Sequence, residues 1–127
     1  MMSGKFAQII QEVDAQAIEL GGLIPETLRA FSGLTRTAQN SGALDHKVKE
    51  LIALAIAVSS RCEACIAYHA RGAARRGATR QEVAEALGVA IQMGGGPSVN
   101  YAAEALGAFD ELSAGLRNDQ EAARQAT

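Results

Sequence analysis

An all-α fold, a single-domain bundle of about six helices, follows from three features of this sequence. Apolar residues recur three and four apart along nearly the whole chain, the spacing of one face of a helix. No run alternates apolar and polar residues as a half-buried strand would. Finally, 127 residues suit one domain, and no internal repeat, charge block or low-complexity linker divides them.

The segments follow in order. KFAQIIQEVDAQAIEL puts Phe6, Ile9, Ile10, Val13, Ala17 and Leu20 on one stripe, which Gly21-Gly22 is expected to stop. IPETLRAFSGLTRTAQ has Pro25 at the first helical position and Leu28, Phe31 and Leu34 as its apolar face. Asp45 can cap HKVKELIALAIAV, which is apolar almost all round after Glu50 and so is expected to lie buried in the bundle centre. A helix over roughly 61–76 carries both cysteines and ends at Gly77. TRQEVAEALGVAIQM opens with Thr79 and Glu82 at capping-box spacing and ends at Gly94-Gly95-Gly96-Pro97. SVNYAAEALGAFDELS is the sixth segment, and the polar tail from about residue 115 is expected to fray. The single domain thus spans 1–127, with its core at about 20–112.

Composition narrows the function classes. The 48% apolar and 20% charged content is that of a folded globular chain. A net charge of −2 leaves no electrostatic case for nucleic acid. Arg71, Arg75, Arg76 and Arg80 read as a solvated helix face complementing the helix dipole, in preference to an anion site. The longest apolar run, Leu51 to Val58, is far short of a membrane span, and no basic and apolar leader opens the chain. The expected location is therefore the cytoplasm, where thiols are kept reduced. Three Phe, two Tyr and no Trp among many alanines bury little area in a monomer, so subunit interfaces are expected to supply part of the core.

The chemistry concentrates in SSRCEACIAYHARG, which holds both cysteines of the chain and one of its two histidines. Ser60 and Glu63 have the spacing of a capping box, which would place Cys62 in the first helical turn and Cys65 one turn on. On such a helix Cys62, Cys65 and His69 share one face, close enough for a disulfide between the sulfurs and for the imidazole to reach the Cys65 thiol. A helix start favours the thiolate, so the cluster reads as a reactive dithiol. A zinc site would need a second ligand pair, for which only the distant His46 and Glu50 stand as candidates. Haem attachment would need a histidine where Ile66 stands. The remaining alternative is a pair of inert buried thiols. Glu50, taken alone, reads as the last solvated residue before the apolar run.

KELIALAIAVSSRCEACIAYH together with QMGGGPSVNYAAEAL resembles the alkylhydroperoxidase D-like family of the carboxymuconolactone decarboxylase superfamily. Its signature is a Glu, eleven residues, then C-x-x-C-x-x-x-H, which Glu50, Cys62, Cys65 and His69 match; the similarity covers roughly residues 20–112. The resemblance implies an all-helical homotrimer or homohexamer that reduces hydroperoxides without metal or organic cofactor. It implies Cys65 as the nucleophile that becomes a sulfenic acid, and Cys62 as proton donor and resolving thiol. Glu50 and His69 would form a proton relay, and a lipoyl-bearing or thioredoxin-like partner would restore the dithiol. The founding members carry a histidine just before the second cysteine, where this chain has Ala64, and they are longer. True carboxymuconolactone decarboxylases lack the cysteine pair, so lactone decarboxylation is not expected. The expectation is thus a thiol-dependent alkyl hydroperoxide reductase. Its rival is a thiol–disulfide exchange or redox-sensing protein, and a third reading is a non-catalytic oligomeric module.

Overall fold

Helices make up all the regular structure among the described residues of this computed structural model, residues 4–126. Residues 1–3 and 127 of the expected domain lie outside that range. In chain order the helices are α1 (Lys5–Leu23), α2 (Pro25–Gln39), α3 (His46–Ser59), α4 (Glu63–Arg75), α5 (Arg80–Gly94) and α6 (Gly96–Gln125).

Local signals set most of the boundaries. Pro25 opens α2, where a missing N–H costs nothing. Asp45 Oδ1 accepts from the Val48 amide at 2.9 Å to start α3. Thr79 and Glu82 form the reciprocal capping box of α5, with Glu82 N–Thr79 Oγ1 at 3.1 Å and Thr79 N–Glu82 Oε1 at 2.8 Å. Gly77, at φ 81°, closes the cysteine helix in a conformation that favours glycine.

Four expectations are corrected. First, α1 continues past Gly21-Gly22 to Leu23 and buries only Phe6, Ala7 and Ile10, leaving Leu20 exposed. Two glycines weaken a helix end but do not force it to stop. Second, α2 buries none of its residues, and Phe31 and Leu34 face outward. Third, α4 rather than α3 is the central helix: it packs on α6, α3 and α1 and buries Ile66, Ala67, Ala70 and Ala73. α3 buries Leu54, Ala57 and Val58 but exposes Ile52 and Ile56. Fourth, α6 runs on to Gln125. The tail is polar, but its Ala, Glu, Arg and Gln residues are good helix formers.

Among the described residues, nine of the eighteen buried apolar ones are alanines: Ala7, Ala57, Ala67, Ala70, Ala73, Ala90, Ala102, Ala105 and Ala108. Such small side chains let helix axes approach closely, which sets α4 tightly between its neighbours. One cap crosses the fold: the Glu111 carboxylate on α6 accepts from the Phe6 and Ala7 amides at 3.3 and 2.9 Å. It thereby satisfies the first N–H groups of α1, whose own N-cap is a glycine. Among the described residues no helix is long and apolar enough to cross a membrane.

Candidate active site

The connection between α3 and α4 determines where the cysteines sit. Ser60 ends α3, its amide donating to Ile56 O at 2.8 Å. Arg61 then takes a left-handed φ of 54°, and the Cys62 amide donates back to Ala57 O at 3.1 Å. The chain reverses within these residues, so Ser60 does not cap the cysteine helix. Cys62 itself is the N-cap, and its Sγ accepts from the Cys65 amide at 3.2 Å. The two cysteines, with Cα atoms 5.2 Å apart, are joined as a disulfide. Both are partly buried.

This cap geometry has a chemical consequence. A sulfur receiving a backbone N–H at the positive end of a helix is favoured as a thiolate once the bond is reduced. Cys65 lies one turn further in, with His69 at i+4 on the same helix, the spacing at which side chains on a helix meet.

Glu50 is not a solvated helix-entry residue. Only 5% of it is exposed, and its carboxylate is held against α4: Oε2 lies 3.4 Å from His69 Nδ1, while Oε1 lies 3.7 Å from His46 Nε2. The carboxylate fits because α4 has a glycine at the contact. A Cβ at Gly72 would overlap Oε2 and Cδ of Glu50 and stand 3.2 Å from Oε1. The structure thus brings Glu50 and His69 together across nineteen positions of sequence and carries Cys65 on the same helix as His69. Sequence reading weighed His46 only as a distant zinc ligand, and it missed Gly72. The i,i+4 spacing of His46 and Glu50 was visible, but the need for glycine at position 72 arises only when α3 and α4 meet.

A recess of about 210 Å³ opens over this carboxylate, lined by His46, Glu50, Tyr68 and His69 and rimmed by Arg71, Arg75 and Arg76. The Tyr68 hydroxyl donates to Asp14 on α1. Burial first, and then that hydrogen bond and the Asp14 charge, push the phenol up to about 12. Arg71 stacks over the Tyr68 ring at 5.4 Å. Burial, and next the charge of Arg75, lower the Arg71 guanidinium from its ordinary value. On the outer side of the cysteines, Lys5 reaches Glu63 at 3.2 Å and Glu104 at 3.4 Å, tying α1, α4 and α6 together beside the dithiol. Among the described residues no group of three or more His, Cys, Asp and Glu side chains is placed to hold a metal ion.

Residues 25–108 match the model of the carboxymuconolactone decarboxylase family. An uncharacterized protein of Cupriavidus necator is 43% identical over 105 residues, covering 83% of this chain and 93% of the relative. Among solved structures, a carboxymuconolactone decarboxylase family protein from Legionella pneumophila superposes with a TM-score of 0.85 at 47% identity, over 87% of this chain and 99% of that one. A family member from Thermotoga maritima, described as having a possible involvement in an antioxidative response, gives a TM-score of 0.66 at 33% identity, over 72% of this chain and 95% of that one.

Proposed function

Because this chain belongs to the carboxymuconolactone decarboxylase family, we propose that it is the cysteine-based, alkylhydroperoxidase D-like kind of member, a thiol-dependent alkyl hydroperoxide reductase. The observation that carries this reading is the contact between buried Glu50 and His69, one helical turn beyond Cys65 of a Cys62–Cys65 disulfide pair. Inert thiols have no use for a buried carboxylate aimed at a neighbouring imidazole, whereas a turnover that consumes protons does.

In the proposed reaction the Cys65 thiolate attacks the outer oxygen of the hydroperoxide. The O–O bond breaks, Cys65 becomes a sulfenic acid, and the alkoxide takes a proton to leave as alcohol. Cys62 then attacks the Cys65 sulfur, expelling the hydroxyl as water and closing the disulfide. In balance, one thiolate, one thiol, one hydroperoxide and one proton give one disulfide, one alcohol and one water. The Glu50–His69 pair supplies that proton. A dithiol reductant, lipoyl-bearing or thioredoxin-like, returns the pair to its reduced state, and no metal or organic cofactor takes part.

The cap contact and the imidazole act on different sulfurs. The Cys65 amide favours Cys62 as the standing thiolate, while His69 serves Cys65 at i+4. Rate of attack depends on access and on a well-matched pKa more than on the lowest pKa, and the neighbouring base assigns attack to Cys65. The same N-cap contact favours the second reading, thiol–disulfide exchange, in which Cys62 attacks a protein disulfide. Stopped-flow oxidation of the reduced protein by cumene hydroperoxide and by a model disulfide separates the two. The peroxidase reading requires the faster reaction with the hydroperoxide, and a faster reaction with the disulfide would replace it.

A further inference from the structure

We propose that His46 is the solvent-side member of the proton relay, and that the recess over Glu50 is the port through which the proton of each turnover enters. The inference rests on the dithiol chemistry above and extends it to a residue outside the family signature.

Both imidazoles address one carboxylate with one ring nitrogen each. His69 presents Nδ1 to Oε2 at 3.4 Å, and His46 presents Nε2 to Oε1 at 3.7 Å. An imidazole passes a proton by accepting at one nitrogen and releasing at the other. His69 thus has Nε2 to exchange with the Cys65 side, and His46 has Nδ1 to exchange with water. The 3.7 Å separation closes to hydrogen-bond length with a small side-chain movement, the ordinary state of a relay awaiting its reaction. Glu50 is 5% exposed and backed by Gly72, and it meets the recess between the two histidines. Both histidines are partly exposed and both line the recess.

The recess serves this role better than it would serve substrate. Its lining includes Glu50 and the two histidines but neither cysteine. Every other charged group facing Glu50 there is cationic: Arg71, whose guanidinium feels the Glu50 charge, with Arg75 and Arg76 at the rim. The carboxylate between the two imidazoles can accept a proton from His46 and hand it to His69. Per turnover one proton crosses from water to His46, to Glu50, to His69 and to the alkoxide or hydroxide released at the dithiol. Nothing else is consumed.

The experiment is chemical rescue. In His46→Ala the imidazole is gone and the recess enlarged, so free imidazole can enter. Oxidation of the reduced variant by cumene hydroperoxide at neutral pH is expected to slow about tenfold, a modest share of the ~10²- to 10⁴-fold attributed to positioned proton transfer, since water can still reach the port. Millimolar imidazole should restore most of the rate in His46→Ala, change wild type little, and do nothing for His46→Ala/Glu50→Gln, where the next acceptor is missing. A structural role for His46 gives no imidazole dependence. Should His46→Ala fold poorly, His46→Asn keeps the side chain's bulk and is tested with a pH–rate profile beside wild type. A wild-type rate in His46→Ala, or equal rescue with and without Glu50, would overturn the inference. If even the wild-type protein ignores the hydroperoxide, the peroxidase reading has failed on its own. The same series is then run with oxidised lipoamide, since its reduction by a thiolate and a thiol also takes up one proton. Imidazole rescue with that oxidant sustains the port, and its absence refutes it.

Discussion

Replacing Gly72 by alanine tests how tightly the Glu50 carboxylate is held against α4. In an unobstructed helix interior, glycine to alanine is favourable by up to about 1 kcal/mol. At Gly72 the added methyl overlaps Oε2 and Cδ of a side chain that is 5% exposed, so carboxylate or helix must move. Forcing extra volume into a packed site typically costs about 1–3 kcal/mol. Gly107, inside α6, has nothing within 4 Å of such a methyl and serves as the reference. The propensity gain cancels between the two variants, so Gly72→Ala should be less stable than Gly107→Ala by about 1–3 kcal/mol, several degrees in melting temperature for a domain this size. Thermal and urea unfolding read the difference. In a Glu50→Ala background the clash is gone, and the penalty at position 72 should shrink toward zero. Displacing the carboxylate from His69 should also slow thiol oxidation by peroxide at least about tenfold. A Gly72→Ala protein as stable as Gly107→Ala and oxidising at the wild-type rate would refute the placement of Glu50.

Glu50→Gln and His69→Asn should each slow oxidation by peroxide at least about tenfold, and the double variant by less than the product, since the two residues act as one unit; unfolding curves should show both single variants folded. In Cys62→Ser a dimedone probe should label Cys65, and labelling confined to Cys62 in Cys65→Ser would reverse the assignment of the nucleophile. Burial and Asp14 raise the Tyr68 phenol to about 12, above an ordinary value near 10. The unfolded chain therefore loses this proton first, and the contribution is complete below about pH 10 and lost as pH rises toward 12. Melting temperature should accordingly fall less steeply with alkaline pH in Tyr68→Phe than in wild type. Self-association is expected: Phe31 and Leu34 on α2 are 64% and 63% exposed, and Ile52, Ile56, Val89 and Met93 line an open apolar groove of about 470 Å³ between α3 and α5. Light scattering should give a trimer or hexamer of this chain, and a stable micromolar monomer would contradict that.

What could be read from the sequence was whatever a few neighbouring residues decide. Asp45, Thr79 with Glu82, Pro25 and Gly77 act within one turn of themselves, and each sits where its local chemistry puts it. Ser60 and Glu63 had the spacing of a cap, but the Cys62 amide bonds back to Ala57 and Arg61 turns left-handed, making Cys62 the cap instead. No glycine marks that turn, so nothing local announced it. The Glu111 cap of α1 joins residues about a hundred positions apart and has no local trace. The cluster of Cys62, Cys65 and His69 was legible from helical spacing, and only Glu50 joined it through resemblance. By periodicity alone Glu50 belonged to the surface, and its burial depends on Gly72 of another helix. α2 misled for a related reason: its amphipathic stripe was correctly read as helical, but this chain half-buries Leu28 against α1 and leaves Phe31 and Leu34 exposed.

The stoichiometry of a single turnover tests the central claim most directly. Fully reduced protein is mixed anaerobically with a limiting amount of cumene hydroperoxide. Cumyl alcohol is quantified by chromatography, and lost thiols and the Cys62–Cys65 disulfide by intact mass. The account predicts one alcohol formed and two thiols lost per hydroperoxide consumed, with a mass loss of two hydrogens in one chain. Thiols that persist while hydroperoxide remains, or a disulfide that forms without a matching amount of alcohol, would contradict it.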